Sequence, residues 1–227
     1  MTATYDELPA LMTRMTGDEK HDVSATSTLD VLWVLYRDVL RIDPADPENP
    51  DRDRFLLSKG HGPMAYYAVL AAQGFLAPDL LDTFGEFDSV LGYHPDRTLI
   101  RGVEISSGSL GHGLGLAAGV ASALRLRGSH ARVFVLLGDA ELDEGSNAEA
   151  IQFAGRAGLR NLTAVVIDNR SAGLGWPGGI GRRFEIEGWN VENVNGRDHR
   201  ELRNAFTAHE SDEPHAVVAR VEDKDRS

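Results

Sequence analysis

The chain has 227 residues, of which 42% are hydrophobic and 26% are charged, a composition that fits one globular domain with a sizeable core. Its net charge of −12 argues against nucleic acid as a partner, because few basic side chains can neutralise a phosphate backbone. The absence of cysteine excludes disulfides, thiolate catalysis and zinc–thiolate sites. Apolar runs are all shorter than the roughly 20 residues that span a bilayer, so we expect a cytoplasmic protein without a membrane partner.

The first hundred residues are expected to be mainly helical. Residues 1–20 predict a peripheral amphipathic helix, and a strongly apolar helix should begin after Thr28 and extend to Leu40. A proline-rich loop at 44–53 then precedes a short strand at Arg54–Leu57.

The rest of the chain alternates apolar strands with helices. Strands are predicted at 103–105, 133–137, 162–167, 190–194 and 216–221, a helix at His199–His209, and a loop at 172–181. This alternation predicts an α/β fold, a doubly wound parallel sheet with helices on both faces and a ligand at the carboxyl ends of the strands. We expect a single domain over residues 1–227.

Two of the predicted strands end in side chains that can bind a hard cation. Asp139 follows the run 133–137, and Asn169 follows 162–167 one crossover later. In a parallel sheet both would lie at one edge, where a carboxylate and an amide leave coordination sites on Mg²⁺ for phosphate oxygens. A helix-capping aspartate and a turn asparagine explain the same spacing, and the spacing leaves both interpretations open.

The acidic residues after Asp139 have a simpler explanation. Glu141, Asp143 and Glu144 precede a predicted helix, and the dipole at a helix N-terminus favours negative charge. That role is sufficient for Glu141 and Asp143.

A glycine-rich run, Ser106–Leu124, leads into a helix of small residues. Glycines let a backbone approach a ligand and a helix N-terminus favours an anion, whereas tight helix packing explains the pattern equally well. A dinucleotide-binding fingerprint fits less well, because Gly111, Gly113 and Gly115 give G-x-G-x-G rather than G-x-G-x-x-G.

Three histidines, His21, His61 and His94, lie in predicted turns or loops. A histidine in a turn is commonly solvated. Three of them in one α/β domain with a candidate diphosphate site favour a polar cleft that can shuttle protons.

Taken together, these segments resemble the N-terminal, thiamine-diphosphate-binding domain of transketolase over roughly residues 20–220. The resemblance rests on five motifs in the same order: DRDRFLLSKGHG, GYHPD, SSGSLGHGLGLAAGVA, LLGDAELDEGSNAEA and NLTAVVIDN. It implies the cofactors thiamine diphosphate and Mg²⁺, with Ca²⁺ or Mn²⁺ as alternatives. It also implies transfer of a two-carbon ketol unit from a ketose or ketose phosphate to an aldehyde.

The resemblance assigns the cofactor-binding residues by position. It implies metal ligation by Asp139, the Asn169 side chain and the main-chain carbonyl of Ser171. The segments that it places against the cofactor are Gly138, Asp139 and Ala140 at the diphosphate, and Gly108, Ser109 and Leu110 at the aminopyrimidine.

The same resemblance assigns four residues to catalysis. His61 is implied at the cofactor diphosphate, His94 at the two-carbon donor fragment, and His21 near the reacting carbonyl. Glu144 is implied to link the cofactor sites of two subunits.

The sequence departs from the family pattern at three places. His21 is followed by Asp-Val-Ser-Ala instead of Pro-Gly-Gly, and Ala140 replaces the second glycine of Gly-Asp-Gly. The C-terminal VVARVEDKDRS lacks the usual Lys-Thr-x-Lys-Gly.

With 227 residues, the chain would lack the pyrimidine-binding and C-terminal domains of a full transketolase. We therefore expect the N-terminal subunit of a split transketolase, acting on small sugars with a separate C-terminal subunit in an α₂β₂ assembly. The alternative is a non-catalytic or regulatory subunit that scaffolds a partner chain. A nicotinamide-dependent dehydrogenase ranks third.

Overall fold

Five parallel strands form one sheet in the computed structural model, which describes residues 3–16, 26–207 and 211–223. The strands are β1 (Arg54–Leu57), β2 (Val133–Gly138), β3 (Leu162–Asp168), β4 (Asn190–Asn195) and β5 (His215–Arg220). Their order in the sheet is β1-β2-β3-β5-β4, and every neighbouring pair is parallel. The α/β fold with a parallel sheet is therefore confirmed.

Short helices connect the strands. Within the described ranges the α-helices are α1 (Leu8–Met12), α2 (Leu29–Val34), α3 (Met64–Ala72), α4 (Gly113–Leu126), α5 (Gly145–Arg156), α6 (Ile180–Ile186) and α7 (His199–Thr207). Helix α2 continues as a π-helical turn, and 3₁₀ turns lie at Tyr5–Glu7, Pro78–Thr83 and Ala140–Asp143. None of the described helices is long and apolar enough to cross a bilayer.

Side chains on the two faces of the sheet belong to two separate hydrophobic clusters. On β2, Phe134 and Leu136 pack with residues of α2, α3 and α7, whereas Val135 and Leu137 pack with residues of α4, α5 and α6. Because both faces are covered, β2 is apolar at successive positions instead of alternating with polar residues.

Three predicted elements differ from the structure. Residues 103–105 are not part of the sheet, although Val103 is buried in the first cluster. The loop predicted at 172–181 gives way to α6, a short helix whose Phe184 packs against Trp189 with ring centroids 5.1 Å apart. The N-terminal helix is shorter than expected, because α1 ends at Met12.

Candidate functional site

The ends of β2 and β3 bring Asp139 and Asn169 to the same edge of the sheet. Gly138 lies opposite Ile167 in the parallel register, and the Asp139 N–H donates to the Ile167 carbonyl at 3.0 Å. Both polar side chains are buried, with Asp139 1% and Asn169 5% exposed. The structure thus places a carboxylate and an amide on neighbouring strands at the carboxyl edge.

The chain reverses direction directly after Asn169. Arg170 has a φ of 57°, a left-handed conformation that costs a non-glycine residue about 1–2 kcal/mol. The turn returns Ser171 to the end of β2, where its N–H donates to Asp139 Oδ2 at 2.7 Å and its hydroxyl donates to Oδ1 at 2.5 Å. The three residues implied as metal ligands therefore form one local group.

The polar atoms of this group fit a hard divalent cation. The buried Oδ1 of Asn169 has no hydrogen-bond partner, which costs about 1–3 kcal/mol unless a ligand accepts the contact. Carboxylate and amide oxygens are ligands that Mg²⁺ accepts. The described residues contain no group of three His, Cys, Asp or Glu side chains that could hold a metal, so an ion here would need main-chain, water or phosphate ligands as well.

The histidine-containing turn after β1 packs against the glycine-rich segment. The rings of His61 and His94 meet edge to face, with centroids 5.0 Å apart. A Cβ on Gly108 would lie 3.0 Å from His94 Cδ2, and the φ of 139° at Gly108 also requires glycine. A Cβ on Gly60 would lie 2.7 Å from the Gly108 nitrogen. His61, His94 and Gly108 are therefore in one place, where the buried Nε2 of His94 has no hydrogen-bond partner.

This cluster adjoins the end of β2. The N–H groups of Ser58 and Lys59 both donate to the Leu136 carbonyl, at 2.9 and 3.1 Å. A Cβ on Gly138 would lie 3.3 Å from the Lys59 side chain. Three adjacent strands, β1, β2 and β3, thus deliver the histidine turn, Asp139 and Asn169 to one edge.

The remaining residues from the sequence analysis lie around the glycine-rich segment or outside the described ranges. Ser109 is exposed, Leu110 is half-buried, and Glu144 is exposed at the start of α5. A Cβ on Gly111 would lie 2.7 Å from Glu144 Cβ, so Glu144 lies against this segment. His21 lies outside the residues that the structure describes.

Ala140 keeps its N–H at the carboxyl edge despite its methyl group. It begins the 3₁₀ turn, and its N–H donates to Asp139 Oδ1 at 2.8 Å. Ala140 therefore supports the Asp139 carboxylate.

Glu141 is a buried residue of this region that the sequence analysis assigned to the helix dipole. It is 1% exposed and accepts hydrogen bonds from the Ser58 hydroxyl and from the N–H groups of Gly111 and Gly138. Burial raises the pKa of Glu141, and these hydrogen bonds and the nearby Lys59 partly oppose that rise. A glutamate in an acidic turn gives no sequence signal that separates burial from exposure.

Asp143 also has a specific structural role. Its Oδ2 accepts the N–H groups of Gly173 and Leu174, at 2.8 and 3.2 Å, in the loop after Ser171. The acidic turn thus holds the loop after β3 at two points, through Asp139 and Asp143.

Comparison with known proteins identifies the family. A family model described as transketolase, thiamine diphosphate binding domain, matches residues 15–221. An apulose-4-phosphate transketolase subunit from Phocaeicola vulgatus is 35% identical over 201 residues, which cover 85% of this chain and 71% of the relative. The crystal structure of transketolase from Campylobacter jejuni superimposes with a TM-score of 0.80 at 27% identity, over 95% of this chain and 37% of that chain.

A further relative is named Ferredoxin fas2, from Rhodococcoides fascians. It is 61% identical over 219 residues, which cover 96% of this chain and 72% of the relative. Iron–sulfur clusters are held by cysteine thiolates, and this chain has no cysteine, so that name finds no cluster ligands here. The fold, the motif order and the family match agree with one another: the chain belongs to the transketolase family and corresponds to its thiamine-diphosphate-binding domain.

Proposed function

We propose that the chain is the N-terminal subunit of a split transketolase. It transfers a two-carbon ketol unit from a ketose or ketose phosphate to an aldehyde with thiamine diphosphate and Mg²⁺. The observation that carries this proposal is the buried, unpartnered Asn169 Oδ1 beside Asp139 at the carboxyl edge of the sheet. Relatives from two organisms, each named as one subunit of an apulose-4-phosphate transketolase and 35% and 37% identical to this chain, support the assignment.

The residues of the edge divide the work of holding the cofactor. Asp139, Asn169 and the Ser171 carbonyl would ligate the cation, and His61 would contact the diphosphate. The N-terminus of α4, with its free N–H groups, favours the same anion. When bound, thiamine diphosphate supplies the electron sink for carbon–carbon cleavage.

Histidines and Glu144 serve the proton transfers in this proposal. His94, whose Nε2 is buried and available beside His61, would hydrogen-bond the two-carbon donor fragment. His21 remains proposed near the reacting carbonyl from the sequence. Glu144, exposed against Gly111, would face a second subunit, linking the two cofactor sites.

A separate partner chain completes the enzyme in this proposal. It supplies the pyrimidine-binding domain, and we propose an α₂β₂ assembly. The solved Campylobacter jejuni chain supports this reading, because the present chain corresponds to 37% of it.

A non-catalytic scaffolding subunit is the second candidate. It is favoured by the engagement of both Asp139 oxygens, which accept hydrogen bonds from Ala140, Ser171 and Ala172. A cation would have to share or displace these contacts.

Cofactor titration of the complex with its co-expressed partner separates the two candidates. Calorimetry is expected to show thiamine diphosphate binding that requires Mg²⁺ and is abolished by EDTA. Asp139→Asn and Asn169→Ala should each weaken it by at least about tenfold, because each removes a metal ligand. Glu149→Gln, on the exposed side of α5, is the control and should bind normally.

Two results would contradict the proposal. Binding that survives EDTA would remove the metal from the site. A stable complex that binds no cofactor under any condition would leave the scaffolding function.

A further inference from the structure

The glycine-rich segment is fixed to the sheet at a place where a strand partner is missing. Pairing between β1 and β2 ends with Leu57 opposite Leu136, so the N–H of Gly138 on the β1 side has no strand to donate to. Glu141 Oε2 accepts this N–H at 3.3 Å. A side chain thus takes over from the sheet directly before Asp139.

The other carboxylate oxygen of Glu141 reaches two more segments. Oε1 accepts the Ser58 hydroxyl and the N–H of Gly111, the latter at 3.0 Å. Ser58 Oγ in turn accepts the N–H of Gly113, the first residue of α4, at 3.0 Å. One buried carboxylate and one hydroxyl therefore connect the ends of β1 and β2 to the N-terminus of α4.

Close packing leaves the segment no room to shift. A Cβ on Gly113 would lie 2.2 Å from Ser58 Cβ, and a Cβ on Gly111 would lie 2.6 Å from Ser146 Oγ. The Ser146 hydroxyl also donates to the Gly111 carbonyl at 2.7 Å, so both backbone groups of Gly111 have side-chain partners.

Glu141 itself is held from below. Asn147, which is fully buried on α5, donates its Nδ2 hydrogen to the Glu141 carbonyl at 2.6 Å. Such a network is expected to be rigid, because every donor around the carboxylate is directed at it.

We propose that Glu141 is a positioning residue that, with Ser58, sets the place of the glycine-rich segment and of the α4 N-terminus relative to Asp139. It does not touch the cofactor. This inference rests on the proposed function for its consequence, which is cofactor affinity, but its structural part stands independently. A charged acceptor is needed because the three donors converge on one side chain.

Amide hydrogen exchange of the purified full chain, read by mass spectrometry, tests the structural part. Glu141→Gln keeps the shape but places an NH₂ group where one oxygen stood, so it opposes a donor. We expect about tenfold faster exchange in peptides covering Gly111 and Gly113, the change expected when a charge-assisted hydrogen bond is lost. Ser58→Ala should accelerate exchange at the same peptides.

Two controls separate positioning from general destabilisation. Ile151→Val removes one methyl group from the second cluster and should lower global stability without selective exchange at this segment. Glu149→Gln changes an exposed glutamate on the same helix and should change neither quantity. Exchange at Gly111 and Gly113 that is unchanged in Glu141→Gln, or accelerated equally in Ile151→Val, would overturn the proposal.

Cofactor titration then distinguishes failure of this inference from failure of the proposed function. If wild type binds Mg²⁺–thiamine diphosphate, Glu141→Gln should weaken binding about tenfold while Ile151→Val binds normally. Equal affinities would refute the positioning role. If wild type fails to bind but exchange responds as expected, the proposed function is wrong and the structural role of Glu141 holds.

Discussion

Buried carboxylates in this chain have contrasting partners, and the partners indicate their roles. Asp53, fully buried at the amino end of the sheet, receives the guanidinium groups of Arg41 and Arg132 at 2.8 and 2.6 Å. Asp139 accepts hydrogen bonds from neutral N–H and O–H groups. The charge of Asp53 is balanced within the chain, whereas that of Asp139 remains for a cation.

Asp53 is expected to be a structural anchor. Burial would raise the pKa of Asp53, but hydrogen bonds from Arg41 and Arg132 outweigh burial and lower it below the usual 3.8. Asp53→Asn should therefore reduce the free energy of unfolding at neutral pH by about 3 kcal/mol, as measured by urea denaturation.

The pH dependence of this effect has a defined sign. Because the pKa of Asp53 is lowered by folding, its stabilisation is present above the unfolded value of 3.8 and is lost as pH falls through the lower, folded value. The difference between wild type and Asp53→Asn should narrow in that acid range. Asp79→Asn, which changes an exposed carboxylate near Arg14, is the control. Equal effects of the two substitutions would contradict the anchor role.

At the scale of elements, the sequence predicts what burial alone determines. Strands β2 and β3 are covered on both faces, so their apolar runs are continuous and their ends, Asp139 and Asn169, follow directly. Residues 103–105 show the limit of this signal, because Val103 is buried outside the sheet. Helix α6 was missed because it is short and follows a glycine-rich stretch.

The contacts that organise the site are not predictable in the same way. Ser58 and Glu141 are 83 residues apart in sequence, and neither residue type requires burial. Their pairing depends on where β1 ends relative to β2, which is a property of the register and not of local composition.

Two helical glycines provide a matched test of how closely elements approach. A Cβ on Gly155 in α5 would lie 1.8 Å from the Glu187 carbonyl oxygen, whereas a Cβ on Gly119 in α4 would meet nothing within 4 Å. Gly155→Ala should destabilise the chain by about 2 kcal/mol through overpacking. Gly119→Ala should stabilise it by up to about 1 kcal/mol through helix propensity. Thermal unfolding of the purified chain measures both, and a neutral Gly155→Ala would contradict the close contact.

At the scale of the whole molecule, the sheet joins the two hydrophobic clusters. Successive residues of β3, such as Val165 and Val166, belong to opposite clusters, so neither cluster can be lost without exposing the strand that supports the other. We therefore expect both faces to unfold together. The tryptophans offer separate reporters, since Trp33 lies in the first cluster and Trp189 in the second.

Single-tryptophan variants can determine whether the two faces unfold as one unit. The sequence has three tryptophans, so Trp176→Phe combined with Trp189→Phe leaves Trp33, and Trp33→Phe combined with Trp176→Phe leaves Trp189. In each variant the urea midpoint from fluorescence should equal the midpoint of that same variant from circular dichroism, because a shared sheet makes unfolding cooperative. Comparison within each variant removes the stability cost of the substitutions. If the fluorescence midpoint departs from the circular dichroism midpoint in either variant, one face unfolds separately, and the sheet does not couple the two clusters.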